Sequence, residues 1–205
     1  MATWAPALKD TVAALSDEIL GIYGTGRSIV GVDGSTGAGA ADFADALADA
    51  MRLAGKKVFR ASITDFLKPA DRRNSDGNTG PEYYEDAFDY SVFRRILIDP
   101  FRAAGSTGFV LAAFDAKRGT PIEPRWTTAG KDAVLIVDGV FLQRSELAGL
   151  WNYSIWMDAP STGTASTEVE ADSLYIGEIA PRSKAVAIID NRDPEHPRRV
   201  FADAC

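Results

Sequence analysis

The stretch from Ser28 to Asp42, Ser-Ile-Val-Gly-Val-Asp-Gly-Ser-Thr-Gly-Ala-Gly-Ala-Ala-Asp, most constrains what this chain can fold into. Ile29, Val30 and Val32 are β-branched and the run closes on Asp33-Gly34, which predicts a short buried strand. From Phe43 the apolar period changes. Phe43, Leu47 and Met51 recur every four residues among alanines until Gly55, which predicts a helix. Between strand and helix lies a turn containing Gly34, Gly37 and Gly39. That order gathers the backbone N–H groups of a helix N-terminus around one point, where their partial positive charge suits an anion. The same corner also serves as plain packing geometry, its glycines only letting strand and helix approach.

The turn has the frame of a Walker A phosphate loop, G-x-x-x-x-G-K-[ST]. Gly34, Ser35, Thr36, Gly37, Ala38 and Gly39 supply the frame, but the lysine position is Ala40 and the Ser/Thr position is Ala41. In a working loop the lysine meets the β- and γ-phosphates and the hydroxyl holds Mg²⁺. A unit-charge pair at ~4 Å is worth ~4 kcal/mol at an effective dielectric of ~20, or roughly three decades in affinity or rate. Asp42 adds a carboxylate in the first helical turn, which competes with an incoming phosphate.

Composition narrows the function classes. A length of 205 residues suits one domain with a real core. A net charge of −7 argues against a general nucleic-acid or anionic-membrane surface, though not against one nucleotide in a local pocket. The one cysteine, Cys205, excludes a disulfide framework and a cysteine-based metal site. Neither a signal peptide nor a membrane span is evident, so a cytoplasmic location is expected. The one histidine, His196, lies in the proline-flanked run Asp193-Pro-Glu-His-Pro197, a surface loop ill suited to a catalytic base. No Ser/His/Asp triad can therefore be assembled.

Taken in order, residues 5–23 predict an amphipathic helix through Leu8, Val12, Leu15, Ile19 and Ile22. A second strand is expected at Lys57–Ser62, followed by Ile63–Pro69 and a polar stretch, Asp71–Gly80, of the kind that holds ligand groups at strand ends in open α/β folds. Glu82 to Ala104 reads as helix with Pro100 breaking or restarting it. Phe109–Phe114 and the segment around Pro121–Pro124 read as a small hairpin. Strands are expected at Ala133–Asp138, Tyr153–Asp158 and Ala185–Asp190, and a short helix at Leu142–Leu150. Pro160–Ser173 shows no helical period. Apolar strands alternating with helices predict a doubly wound α/β fold, a mostly parallel sheet of about five strands with helices on both faces.

These segments together resemble the uridine kinase and phosphoribulokinase group of P-loop kinases. The resemblance rests on Gly-Val-Asp-Gly-Ser-Thr-Gly-Ala-Gly, Arg-Ala-Ser-Ile-Thr-Asp-Phe, Tyr-Tyr-Glu-Asp-Ala-Phe-Asp-Tyr and Val-Leu-Ile-Val-Asp-Gly-Val-Phe. It implies one P-loop domain over 1–205: an N-terminal helix (1–26), a kinase-like core (28–158), a shortened lid (159–184), and a last strand with tail (185–205). It also implies ATP and Mg²⁺ as cofactors, with the γ-phosphoryl passing to a hydroxyl such as the 5′-OH of a nucleoside. Residues 34–41 then fall on the phosphate loop, and Asp138 on the acid that holds the metal through water. The family's base belongs to an Asp-x-Phe motif; Phe66 fits, which puts Thr64 at the base position and Asp65 one residue late. Tyr83, Tyr84, Asp86 and Asp89 fall among acceptor-site residues, and Phe114-Asp115 beside the nucleoside base, though these aromatics suit a core equally. The family's lid arginines have no counterpart in Ala159–Ser173, which carries three acids and no base.

Lysine, metal hydroxyl, base and lid arginines are thus altered together, although Lys68 or Arg72 could reach in from the polar stretch. Because phosphoryl transfer is nearly all positioning and charge neutralisation, the first expectation is a kinase-fold protein that keeps a cleft for a small nucleoside-type ligand and is catalytically impaired. The second is an active ATP-dependent kinase using replacement residues. A third, an NAD(P)-binding reductase, can be framed from Gly34-x-x-Gly37 and Arg60, but no Tyr-x-x-x-Lys pair accompanies it.

Overall fold

Dense apolar runs bounded by Gly and Asp become strands buried on both faces. A computed structural model describes residues 6–69, 72–73, 79–103 and 105–201. In chain order its first half comprises α1 (Leu8–Tyr23), β1 (Ser28–Gly34), α2 (Ala40–Leu53), β2 (Val58–Ser62), a 3₁₀ turn at Ile63–Phe66, α3 (Gly80–Asp86), α4 (Tyr90–Phe93), a π turn at Arg94–Ile98 and α5 (Asp99–Ala103). Four two-residue strands follow, β3 (Phe109–Val110), β4 (Phe114–Asp115), β5 (Thr120–Pro121) and β6 (Trp126–Thr127). Then come β7 (Val134–Gly139), β8 (Tyr153–Asp158), α6 (Ser166–Ile179), α7 (Pro181–Lys184), β9 (Ala187–Asp190) and β10 (Arg198–Val200).

The main sheet has the order β10-β9-β8-β1-β7-β2. The pairs from β9 to β2 are all parallel, and β10 closes the β9 edge antiparallel. Alternation along β1 sends Val30 and Val32 into the core beneath α1 and α2, and Ile29 into the core beneath α3, α5 and α6. β1 therefore lies mid-sheet between β7 and β8, and its C-terminal end opens where crossovers leave in opposite directions.

The expected doubly wound, mostly parallel sheet is present: five parallel strands, to which β10 adds a short, charged antiparallel edge, Arg198-Arg199-Val200. Several other expectations are corrected. Residues 80–103 are not one helix. Phe88 bridges to Leu67, and Asp89 then caps a new helix by accepting from the Val92 N–H at 2.8 Å. Pro100 does not end that second helix. The π turn just before it widens the backbone where the proline lacks an N–H and would clash with the preceding turn. Leu142–Leu150 contains only a 3₁₀ turn, Ser145–Leu147. The hairpin resolves into two small antiparallel ladders, β3 with β6 and β4 with β5. Pro160–Ser173 is not irregular throughout, because α6 begins at Ser166. Asp71, residues 74–78 and Ala104 lie outside the described residues. Among the described residues no helix is long and apolar enough to cross a membrane.

Candidate functional site

Residues 34–41, the expected phosphate loop, leave β1 at Gly34 and enter α2 at Ala40 through a bend with Gly37 at φ 76° and Gly39 at φ 85°. Both glycines are required twice over. Their left-handed backbone disfavours a side chain, and a Cβ would stand 1.8 Å from the Thr162 hydroxyl at Gly37 and 2.4 Å from the Asn191 amide at Gly39. Asn191 donates to the Ala38 carbonyl at 2.8 Å, and the Thr162 N–H donates to the Thr36 carbonyl at 2.9 Å. The loop is thus held from outside by the chain after β8 and the chain after β9. Among the described residues nothing accepts from the N–H groups of Gly37, Gly39, Ala40 or Ala41. This backbone fits a phosphate group. Ala40 and Ala41 add only methyl groups to it, and Asp42 is exposed on α2.

α6 presents an acid to this loop. Asp172 is 2% exposed and accepts from the Thr36 N–H at 2.9 Å, from the Ser161 hydroxyl at 2.7 Å and, weakly, from the Thr36 hydroxyl at 3.4 Å. One turn on, the Tyr175 hydroxyl donates to Asp33 at the end of β1 and accepts from the Gln143 N–H at 2.8 Å. Burial pushes the Asp33 carboxyl up to about 7 against hydrogen bonds from Tyr175, Leu142 and neighbouring backbone that favour its charged form. Glu170 accepts from the Gly80 N–H at 3.0 Å and ties α6 to α3. Asp33, Asp172 and these ties escaped the sequence reading. An acid at the end of an otherwise apolar strand was the available signal for Asp33.

Asp138 stands at the end of β7 beside the loop, and both of its oxygens are engaged. Arg60 of β2 donates to one at 2.7 Å and the Ser62 hydroxyl to the other at 3.1 Å. Arg60 also donates to Asp45 of α2 at 2.8 Å, so it faces into the site rather than toward a dinucleotide at the strand edge. The donor set does not fit a divalent metal. Ala41 brings no hydroxyl, and among the described residues no group of three His, Cys, Asp or Glu side chains is placed to hold one.

Asp65 lies in the 3₁₀ turn after β2. Its carboxyl is raised first by burial and then by repulsion from Asp138 and Asp115, against a hydrogen bond from the Ser62 backbone. The Thr64 hydroxyl meets Ser62 at 2.9 Å, which places it on the Asp138 network. Asp115 accepts from the Lys117 and Arg118 N–H groups at 3.0 Å and so caps its own turn. Asp86 pairs with Lys68, and Asp89 is the helix cap described above. Tyr84 and Phe114 are buried, and Tyr83 is half-buried. Tyr84 packs against Phe141 and Tyr175 beneath the Arg144 guanidinium, 4.2 Å from its ring centre; burial lifts its hydroxyl to about 12. Phe141 holds φ at 63°, strained for a bulky side chain, and this aromatic cluster fixes it. His196 lies in an exposed loop with Asp193 at 3.1 Å.

No protein-family model matches the sequence, and no curated protein matches it either. Solved structures do match. One, described as a possible uridine kinase from Bacillus stearothermophilus, superposes with a TM-score of 0.76 at 23% identity over 89% of this chain and 99% of that one. Another, described as a fructose transport system kinase from Silicibacter sp. TM1040, gives 0.59 at 22% identity over 73% of this chain and 75% of that one. The six-stranded, mostly parallel sheet with helices on both faces is thus a fold this chain shares with those two structures.

Proposed function

We propose that the protein holds a nucleoside-type small molecule on this scaffold and transfers phosphoryl groups slowly or not at all. The observation that carries the reading is Asp172. α6 sets a buried carboxylate against the Thr36 N–H of this loop, adding negative charge beside a site at which phosphoryl transfer needs cations. Over its whole length α6 carries Glu168, Glu170, Asp172 and Glu178 and neither Lys nor Arg. The loop's free N–H groups support anion binding of modest strength, with Gly34–Ala41 as its cradle. Beyond it, Asp65, Asp115 and Tyr83 are the residues this reading assigns to the ligand.

The test is calorimetry with ATP in the presence of Mg²⁺, followed by turnover assays against uridine, cytidine and other hydroxyl acceptors. Weak or undetectable ATP binding and no product above background are expected. Turnover in the usual kinase range, about 1–100 per second, would overturn the reading. One observation favours the second reading, an active kinase. Asp65 has a carboxyl raised by burial, which makes it a better proton acceptor than an exposed aspartate. If that reading holds, Asp65→Asn abolishes whatever turnover is found.

A further inference from the structure

The register of β2 against β7 pairs Arg60 with Ile136 and Ser62 with Asp138, and alternation turns Arg60, Ile136 and Asp138 all toward α2. The Arg60 side chain is 17% exposed and that of Asp138 7%, so the pair is screened from water on most sides. Every nitrogen of the guanidinium is used. Nη2 donates to Asp138 at 2.7 Å and approaches the Ala41 carbonyl at 3.5 Å; Nη1 donates to the carbonyls of Ile136 at 3.0 Å and Ala61 at 3.3 Å; Nε donates to Asp45 at 2.8 Å. The guanidinium therefore spans from the first turn of α2 to the acid at the end of β7. In a phosphate-loop enzyme that interval is bridged by a divalent cation, between the loop hydroxyl and the acid.

We propose that Arg60 is the resident cation of this site, neutralising Asp138 in place of a divalent metal, so that the protein binds its ligand without one. Three observations on different elements converge on this. The hydroxyl that would ligate the metal is absent at Ala41. Each oxygen of Asp138 already meets a donor, Arg60 at one and the Ser62 hydroxyl at the other. The guanidinium is anchored by two backbone carbonyls of the sheet, so its position does not depend on Asp138 alone. A hard divalent cation needs about six oxygen ligands and would have to enter beside a fixed positive charge. The proposal rests on placing the ligand site at the phosphate loop. Its test uses the metal alone, so its failure is separable from any failure of nucleotide binding or turnover.

The experiment is titration of the full chain with Mn²⁺, without nucleotide, read by the electron paramagnetic resonance of free metal. Wild type, Asp138→Asn, the double variant Arg60→Gln/Ala41→Thr, and that double variant with Asp138→Asn are compared. Wild type is expected to bind no millimolar-range Mn²⁺ that Asp138→Asn removes. The double variant is expected to gain a site about 10-fold or more tighter, lost again with Asp138→Asn. Wild-type binding that depends on Asp138 would overturn the proposal, and this measurement requires no variant of Arg60 to fold. A double variant that is folded by circular dichroism and binds no better than wild type would overturn it as well.

Discussion

Ala40 and Ala41 open α2 with two methyl groups, while the N–H groups around them have no acceptor among the described residues. Backbone geometry and side-chain chemistry are thus separable at this loop, and a substitution can restore one without rebuilding the other. An ammonium about 4 Å from a phosphate is worth about 4 kcal/mol at an effective dielectric of about 20. Asp42 and Asp45 lie on the same helix and offset part of that gain. Ala40→Lys with Ala41→Thr is therefore expected to raise ATP affinity by about 10- to 100-fold, less than the full pair energy. Titration calorimetry on the double variant measures it. An unchanged affinity would mean that the loop, despite its glycine bends, is not shaped to a phosphate.

α6 couples the loop to the rest of the molecule, and it is the element that sequence pattern least revealed. Its buried stripe is narrow, Ala171, Asp172, Tyr175 and Ile179, and includes an acid, while Val169, Leu174 and Ile176 are exposed on the other side. Apolar residues on both faces cancel a helical period, so polarity alone made the segment look irregular. The opposite error arose at Leu142–Leu150. Leu142, Leu147 and Leu150 read as one helical stripe, yet they reach a single core from a turn and the chain on either side of it. β1, β7, β8, α1 and α2 were legible because burial on one or both faces imposes unbroken runs or strict periods. In the site, the glycine frame was legible locally. The Arg60–Asp138 pair was not, since it joins residues 78 apart through the register of two strands. The clasp itself is testable. Asp172→Ala leaves the Thr36 N–H without its acceptor and the Ser161 hydroxyl with only the Thr36 carbonyl at 3.3 Å, at a cost of about 1–3 kcal/mol. In a chain of this size each kcal/mol lowers Tm by about 2–4 °C. Faster amide exchange at Thr36 and in the first turns of α6 should accompany the loss. Pyrophosphate should bind the variant more tightly, because a like charge has left the loop. A variant with lowered Tm but unchanged pyrophosphate affinity would confine Asp172 to a structural role.

For the whole molecule, the buried Asp33 sets how stability responds to pH. Its carboxyl, ordinarily near 3.8, is held up to about 7, chiefly by burial. Between those two values the folded protein keeps a proton that the unfolded chain releases. Stability from this group is therefore fully present below about pH 4 and is lost as pH rises toward 7, on the order of 4 kcal/mol in all. Asp65, raised mainly by burial, acts in the same direction. Carboxylates held low act oppositely and in a lower window. Asp190, hydrogen-bonded first by Arg192 and then by Arg198, and Glu18, hydrogen-bonded by Arg199 and Tyr153, lose their contribution only as pH falls below the ordinary carboxylate range. The two windows meet near the ordinary carboxylate value, about pH 4, where stability against urea is expected to peak, with a fall toward pH 8. Total stabilities of domains this size are about 5–15 kcal/mol, so the fall should be plain in the midpoint. Asp33→Asn keeps a carbonyl for the Leu142 N–H or the Tyr175 hydroxyl but cannot ionise. It should flatten the slope above pH 5, leaving only the part due to Asp65. If wild type and Asp33→Asn lose stability equally between pH 5 and 8, Asp33 is already ionised in the folded protein, and the Tyr175 hydroxyl and the backbone donors outweigh its burial.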